Sequence, residues 1–277
     1  MTPETRGFVV WIAATVVILI AFFIFVATGF PGEKDTCVDD RPHNTCYCEK
    51  YNEREINQPG IRQPSNTWFN LYAVGTSFLV ALFIYFDRKK YAGSAPNVIG
   101  SNSFIADLYI FAVLFLGLGS MWFHASLTTW GGVFDGISMY VYAAYLVFYS
   151  IRRFWNADWF FWVGYGATVI LFTILHAAGV PSVINIMILV AAYAAIEIYI
   201  WVRTGKWMQG KTLTRALWIG SLVSILLATV FWALSQTGGP LCDPESAFQP
   251  HGMLWHPLAG LMAVLLYFYW READDRI

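Results

Sequence analysis

Eight predominantly apolar runs, most about 20 residues long, dominate this chain and leave few folds open to it. A helix of that length crosses a hydrocarbon core of about 30 Å. The runs fall roughly at 8–30, 67–86, 103–125, 131–151, 157–179, 182–203, 215–236 and 252–270. Only 13% of residues are charged and 57% are hydrophobic, against roughly 25% charged in a soluble domain. Inside a bilayer every backbone N–H and C=O must be satisfied internally, which makes helices the expected solution. The expectation is an all-α, polytopic transmembrane helix bundle, with residues 1–277 forming one integral membrane domain. The first run, 8–30, is too long for the apolar region of a signal peptide, and no small-x-small site follows, so it reads as a retained span. A net charge of −1 and the lack of a long basic run argue against nucleic-acid binding.

Charge sorts the connections into two sides. Asp87-Arg88-Lys89-Lys90, Arg152-Arg153, the stretch from Arg203 to Arg215 and the tail after Arg271 share one side. The positive-inside rule makes it cytoplasmic, and an even number of spans places both termini there. The other side carries a long loop, 31–66, and a second near 237–251. All four cysteines, Cys37, Cys46, Cys48 and Cys242, lie in these loops, which suggests disulfides in an oxidising compartment. Of the three possible pairings, one joining Cys46 to Cys48 is strained. The expected set is Cys48–Cys242, stapling the two loops, and Cys37–Cys46, with free thiols as the alternative. Trp68, Tyr85, Trp130, Trp159, Trp201 and Trp270 stand near span ends and read as an interfacial aromatic belt.

Ionisable groups inside a membrane are expensive and mark candidate sites. The stretch from Ser120 to Asp135 ends one span with His124 and opens the next with Asp135, across a Gly131-Gly132 turn. Ser120 precedes His124 by one helical turn and faces the same way. Of the five histidines, His124, His251 and His256 all fall at the outer ends of the third and eighth spans. Three imidazoles around an open position are the ligand set of a catalytic zinc site. Asp135 could take a proton from water on such a metal, and Ser120 could donate to a developing oxyanion. Asp107 and Glu197 read as helix-pairing or cavity groups, and His176 as an interfacial residue. His43 lies in the long loop.

The pattern Gly119-Ser120-x-x-Phe123-His124-Ala125, Asp135 eleven residues on, and His251 with Trp255-His256 resembles the alkaline ceramidase family. That family belongs to a wider superfamily of seven-helix membrane hydrolases that includes the progestin and adiponectin receptors. Asn66-Thr67-Trp68-Phe69-Asn70 resembles the family's Asn-Thr-x-Ser-Asn, with Phe69 for the usual serine, and Cys242-Asp243-Pro244 ahead of Gln249 resembles bacterial-type members. The resemblance covers roughly residues 46–272. It implies a seven-helix core over 67–272, with 8–30 as an extra N-terminal span, and a zinc amidase acting on a ceramide-like membrane lipid. It also implies His124, His251 and His256 as zinc ligands, Asp135 as general base and Ser120 as oxyanion donor, which the charge distribution places on the non-cytoplasmic side. No protein partner is expected.

Two departures stand out. The family's last pair is usually His-x-x-x-His, whereas His251 and His256 are five apart. On a regular helix five residues rotate a side chain by about 140° from the first, so Pro250 must take His251 off the helical path or a bulge must absorb the extra residue. Some relatives also bind Ca²⁺ through acids ahead of the core. Tyr47-Cys48-Glu49 echoes that site and makes Glu49 a calcium candidate, but Gln63 stands where the family has a glutamate. Three other readings remain open: a zinc hydrolase of another lipid amide or ester, a lipid-binding receptor with structural zinc, and a transporter, for which no inverted repeat is visible.

Overall fold

The computed structural model describes residues 2, 4–35, 47–49, 58–91, 97–101, 103–205 and 212–273. The chain forms α1 (Arg6–Thr28), a short α2 (Pro64–Phe69) running into α3 (Tyr72–Lys90), α4 (Phe104–Ser126) and α5 (Thr129–Trp155). Then follow α6 (Asp158–Ala177), α7 (Ser182–Thr204), α8 (Thr212–Leu234), a π-helical turn (His251–Trp255) and α9 (His256–Glu272). No strand occurs among the described residues, only two isolated β-bridges. With α2–α3 and the π turn–α9 each counted as one, eight helices are long and apolar enough to cross a membrane. Each lies within a few residues of its expected run.

Helix α4 is the most buried span, while α1 and α6 show most of their apolar surface outward. The pattern reflects position. α4 packs on α1, α3 and α5, and α5 also meets α6 and α7. α9 closes the bundle between α3 and α8. Small residues let α4 approach its neighbours: a Cβ on Gly117 would sit 2.3 Å from that of Ala73 in α3. A Cβ on Gly119 would sit 2.6 Å from that of Ser138 in α5. Such sites replace the hydrophobic effect, which is weak between helices in lipid, by close van der Waals packing.

The end of the bundle opposite the histidines is locked by buried ions, each paired as burial requires. Asp107 of α4 meets Arg6 of α1 and Arg88 of α3. Asp87 accepts from Arg271 and from the Tyr267 hydroxyl. Glu197 of α7 accepts from Arg153, Ser150 and Tyr269. Asp107 and Glu197 are therefore helix-pairing groups, as expected. Trp201 and Trp270 correct the reading of an aromatic belt: both are buried. Trp201 donates to the Tyr269 hydroxyl at 2.8 Å, and Trp270 packs on Tyr149 with ring centroids 4.6 Å apart. Closeness to a span end says nothing about which face a residue occupies. Trp159, by contrast, is exposed.

The α4–α5 turn has only two residues between its helices. Leu127 adopts a left-handed conformation (φ 50°) and Thr128 caps α5 by accepting from the Gly131 N–H. The segment after α1 straps this turn: the Asp35 N–H reaches the Leu127 carbonyl at 2.9 Å, and the Thr129 N–H reaches the Glu33 carbonyl at 3.0 Å. The Cys48–Cys242 disulfide joins the segment between α1 and α2 to that between α8 and the π turn, across 194 residues. Cys37, Cys46 and His43 lie outside the described residues, so their expected roles do too.

Candidate metal centre

Three elements deliver the histidines. His124 occupies the last turn of α4; His251 and His256 bracket the π turn. That turn is the bulge which the five-residue spacing demands. In a π turn the repeat is i to i+5, so His251 and His256 share a face that a regular helix would separate. Pro257 supplies a local cause: it has no N–H to donate toward Met253, and its ring crowds that carbonyl.

The three rings converge although 127 residues separate His124 from His251. Their Nε2 atoms lie 3.2 Å apart, and the His251 and His256 ring centroids lie 4.7 Å apart. One nitrogen from each ring falls within 4.8 Å of the others, and all three residues are buried. Two nitrogens bound tetrahedrally to one cation at 2.0–2.1 Å stand about 3.3–3.4 Å apart, close to the distance seen. His256 Nε2 is buried without a hydrogen-bond partner, which is costly unless something else takes its lone pair. The donor set and its spacing fit a transition-metal cation. Among the described residues no other group of three or more His, Cys, Asp or Glu side chains is so arranged.

A strap over the outer face of the triad is built from Tyr47-Cys48-Glu49. The Tyr47 ring lies against His251 and His124, with centroids 3.9 and 4.7 Å away. Gln63, fully buried just ahead of α2, holds the strap from below. Its amide nitrogen donates to the Tyr47 and Glu49 carbonyls at 3.3 and 3.1 Å, and its oxygen meets His124 Nδ1 at 2.8 Å. Glu49 spends both carboxylate oxygens on the N–H groups of Ser65 and Asn66 at 2.7 and 2.8 Å. Burial pushes this carboxyl above its ordinary pKa, and the two N–H donors work against that. Among the described residues this arrangement does not fit a calcium ion, which needs six or more free oxygens. Glu49 is committed to backbone donors, and an amide nitrogen already occupies the point where two carbonyls converge.

Ser120 sits one turn before His124 on α4, and Asp135 sits in the second turn of α5. Both residues line one cavity with His251 and His256. Counted with its open mouth, the cavity holds about 710 Å³. Its remaining wall is largely apolar, including Leu116, Ile186, Val190 and Ile225. Tyr72 and Tyr142 add hydroxyl groups. His176 stands apart from the triad, its ring 3.4 Å from where a Cβ on Gly136 would lie. The sequence thus brought forward the five residues that share this site, but it marked Gln63 only as a departure and Tyr47 only as part of a vague echo. No periodicity links either to a histidine 61 or more residues away.

A family model described as ceramidase matches residues 61–273 of the 277. The chain belongs to the ceramidase family. The matched stretch takes in every helix from α2 to α9, all three histidines, Ser120 and Asp135, and leaves α1 outside. No curated protein matches the chain in sequence. Membership brings lipid amide hydrolysis as the general activity, and eight apolar helices suggest an integral membrane protein.

Proposed function

We propose that this ceramidase-family protein is a zinc-dependent intramembrane amidase that cleaves a ceramide-like lipid into a sphingoid base and a fatty acid. The observation that carries the reading is the buried triad opening onto a mostly apolar cavity that is also lined by Asp135 and Ser120. His124, His251 and His256 would hold the zinc. A zinc ion bound there supplies Lewis acidity, which lowers the pKa of water to about 7 and polarises a carbonyl.

The chain's own groups do the rest. Asp135 accepts the proton of the attacking water and passes it to the amide nitrogen as the C–N bond breaks. Water oxygen thereby ends on the carboxylic acid and the amine leaves neutral. The Ser120 hydroxyl donates to the carbonyl oxygen as negative charge grows there. The apolar wall keeps two alkyl chains out of water while the polar end of the cavity holds the amide. By its charge distribution the chain would keep both termini in the cytoplasm and the site toward the non-cytoplasmic side.

Release of fatty acid from a labelled ceramide by purified protein tests the reading, together with bound zinc. Asp135→Asn is expected to keep its zinc and to lose turnover by about 10²–10⁴-fold, the usual contribution of a positioned base. Wild-type protein with zinc that cleaves no lipid amide or ester refutes the activity; full turnover in Asp135→Asn refutes the assigned base.

A further inference from the structure

We infer that Gln63 is a positioning residue for the metal centre, locking His124 in the tautomer and orientation that present Nε2 to the cation. The inference rests on the zinc reading above. It starts from the hydrogen-bond inventory of one side chain. A carboxamide has a donor end and an acceptor end that are easily confused, but here the surroundings assign them. The nitrogen faces two backbone carbonyls, those of Tyr47 and Glu49, which can only accept. The oxygen therefore faces His124 Nδ1, at 2.8 Å. An oxygen acceptor requires the proton to be on Nδ1, and a neutral ring with that proton carries its lone pair on Nε2. That is the atom 3.2 Å from His251 Nε2, inside the triad.

The lock has little slack. Gln63 is 2% exposed and His124 fully buried, so neither has water as an alternative partner. The backbone repeats the linkage, since the Gln63 N–H donates to the His124 carbonyl at 3.1 Å. Beyond Gln63, the strap is fastened by the disulfide to Cys242 and by Glu49 on the first N–H groups of α2. The orientation of His124 is thus referred to two parts of the chain far from α4. Partners of this kind raise ligand basicity, and their loss typically lowers metal affinity by about 10–100-fold. An amide does here what a carboxylate does in many metal sites, without adding a second negative charge beside Glu49.

The experiment compares wild type, Gln63→Leu and Gln63→Glu, each full-length, folded in detergent and with the disulfide intact. Zinc affinity is read by chelator competition and the ligand field by the visible spectrum of the cobalt-loaded protein. Gln63→Leu removes the acceptor and is expected to lose about 10–100-fold in zinc affinity with an altered cobalt spectrum. Gln63→Glu keeps an oxygen toward Nδ1 but turns a second oxygen on the Tyr47 and Glu49 carbonyls. It is expected to lower thermal stability while retaining near wild-type affinity and spectrum. Where Gln63→Leu fails to fold, Gln63→Glu decides alone. A folded Gln63→Glu protein that has lost its metal affinity makes Gln63 a loop anchor only and overturns the inference, as does wild-type affinity in Gln63→Leu. Wild-type protein without zinc affinity overturns the zinc reading and the inference with it.

Discussion

Gly119 separates the chemistry of the site from the stability of the bundle, so Gly119→Ala is a sharp test. An added Cβ would lie 2.6 Å from Ser138 Cβ, 2.8 Å from Ser138 Oγ and 3.3 Å from the Phe134 carbonyl oxygen. Carbon atoms rest at about 3.5–4.0 Å, so α4 and α5 must part by about 1 Å. Ser138 cannot simply rotate away, because its hydroxyl donates to the Asp135 carbonyl at 2.7 Å. The displacement falls between Ser120, next to Gly119 on α4, and Asp135, one turn before Ser138 on α5. A misplacement of about 1 Å can cost about 100-fold in rate, equivalent to about 2.7 kcal/mol of activation free energy. Stability responds less. Overpacking costs about 1–3 kcal/mol, and replacing a helical glycine by alanine returns about 1 kcal/mol. The expected outcome is a small fall in melting temperature with a loss of turnover of about two orders of magnitude. Ceramide hydrolysis and thermal unfolding would be measured in the same detergent. Gly75→Ala serves as control, since its Cβ meets nothing within 4 Å. Wild-type turnover in Gly119→Ala refutes the claim that α4–α5 spacing sets the Ser120–Asp135 geometry.

Two further outcomes follow from the buried polar groups. Removing calcium with EGTA is expected to leave turnover unchanged while a zinc chelator abolishes it, because the Glu49 carboxylate is spent on the Ser65 and Asn66 N–H groups and the Gln63 amide nitrogen on the Tyr47 and Glu49 carbonyls; recovery of EGTA-treated protein on adding calcium alone sinks this. Arg153→Met strands Glu197 without its cation and is expected to cost about 3 kcal/mol, the low end for a broken buried pair, since Ser150 and Tyr269 still donate to it. The double variant Arg153→Met, Glu197→Gln should be less destabilised than Arg153→Met alone by thermal unfolding, and an additive loss argues against coupling.

Much of the fold was legible because lipid imposes so strict a rule. Any run of about 20 apolar residues must become a helix, and eight such runs did. His124 and Asp135 were legible as a pair because one short turn joins their helices. Cys48–Cys242 was legible because the four cysteines cluster in two loops and a Cys46–Cys48 bridge is strained, and the fold has that pair bonded. The five-residue step from His251 to His256 shows where local reading stops. Helical periodicity sends the two rings apart, and only the π turn ahead of Pro257 puts them on one face. Trp201 and Trp270 were misread for a related reason: composition locates a residue along the membrane normal and leaves its azimuth undecided.

Sequence alone determined that this chain is a bundle of membrane-length helices with histidines at two far-apart helix ends, because hydrophobic length and residue type are local properties. Tertiary structure decided that those ends meet, that Gln63 and Tyr47 reach them, and that Glu49 is spent on the backbone of α2. Such facts depend on which faces of non-adjacent helices pack together. That choice is made by the whole bundle, through close contacts such as Gly119 on Ser138 and through paired buried ions, and no single segment carries it.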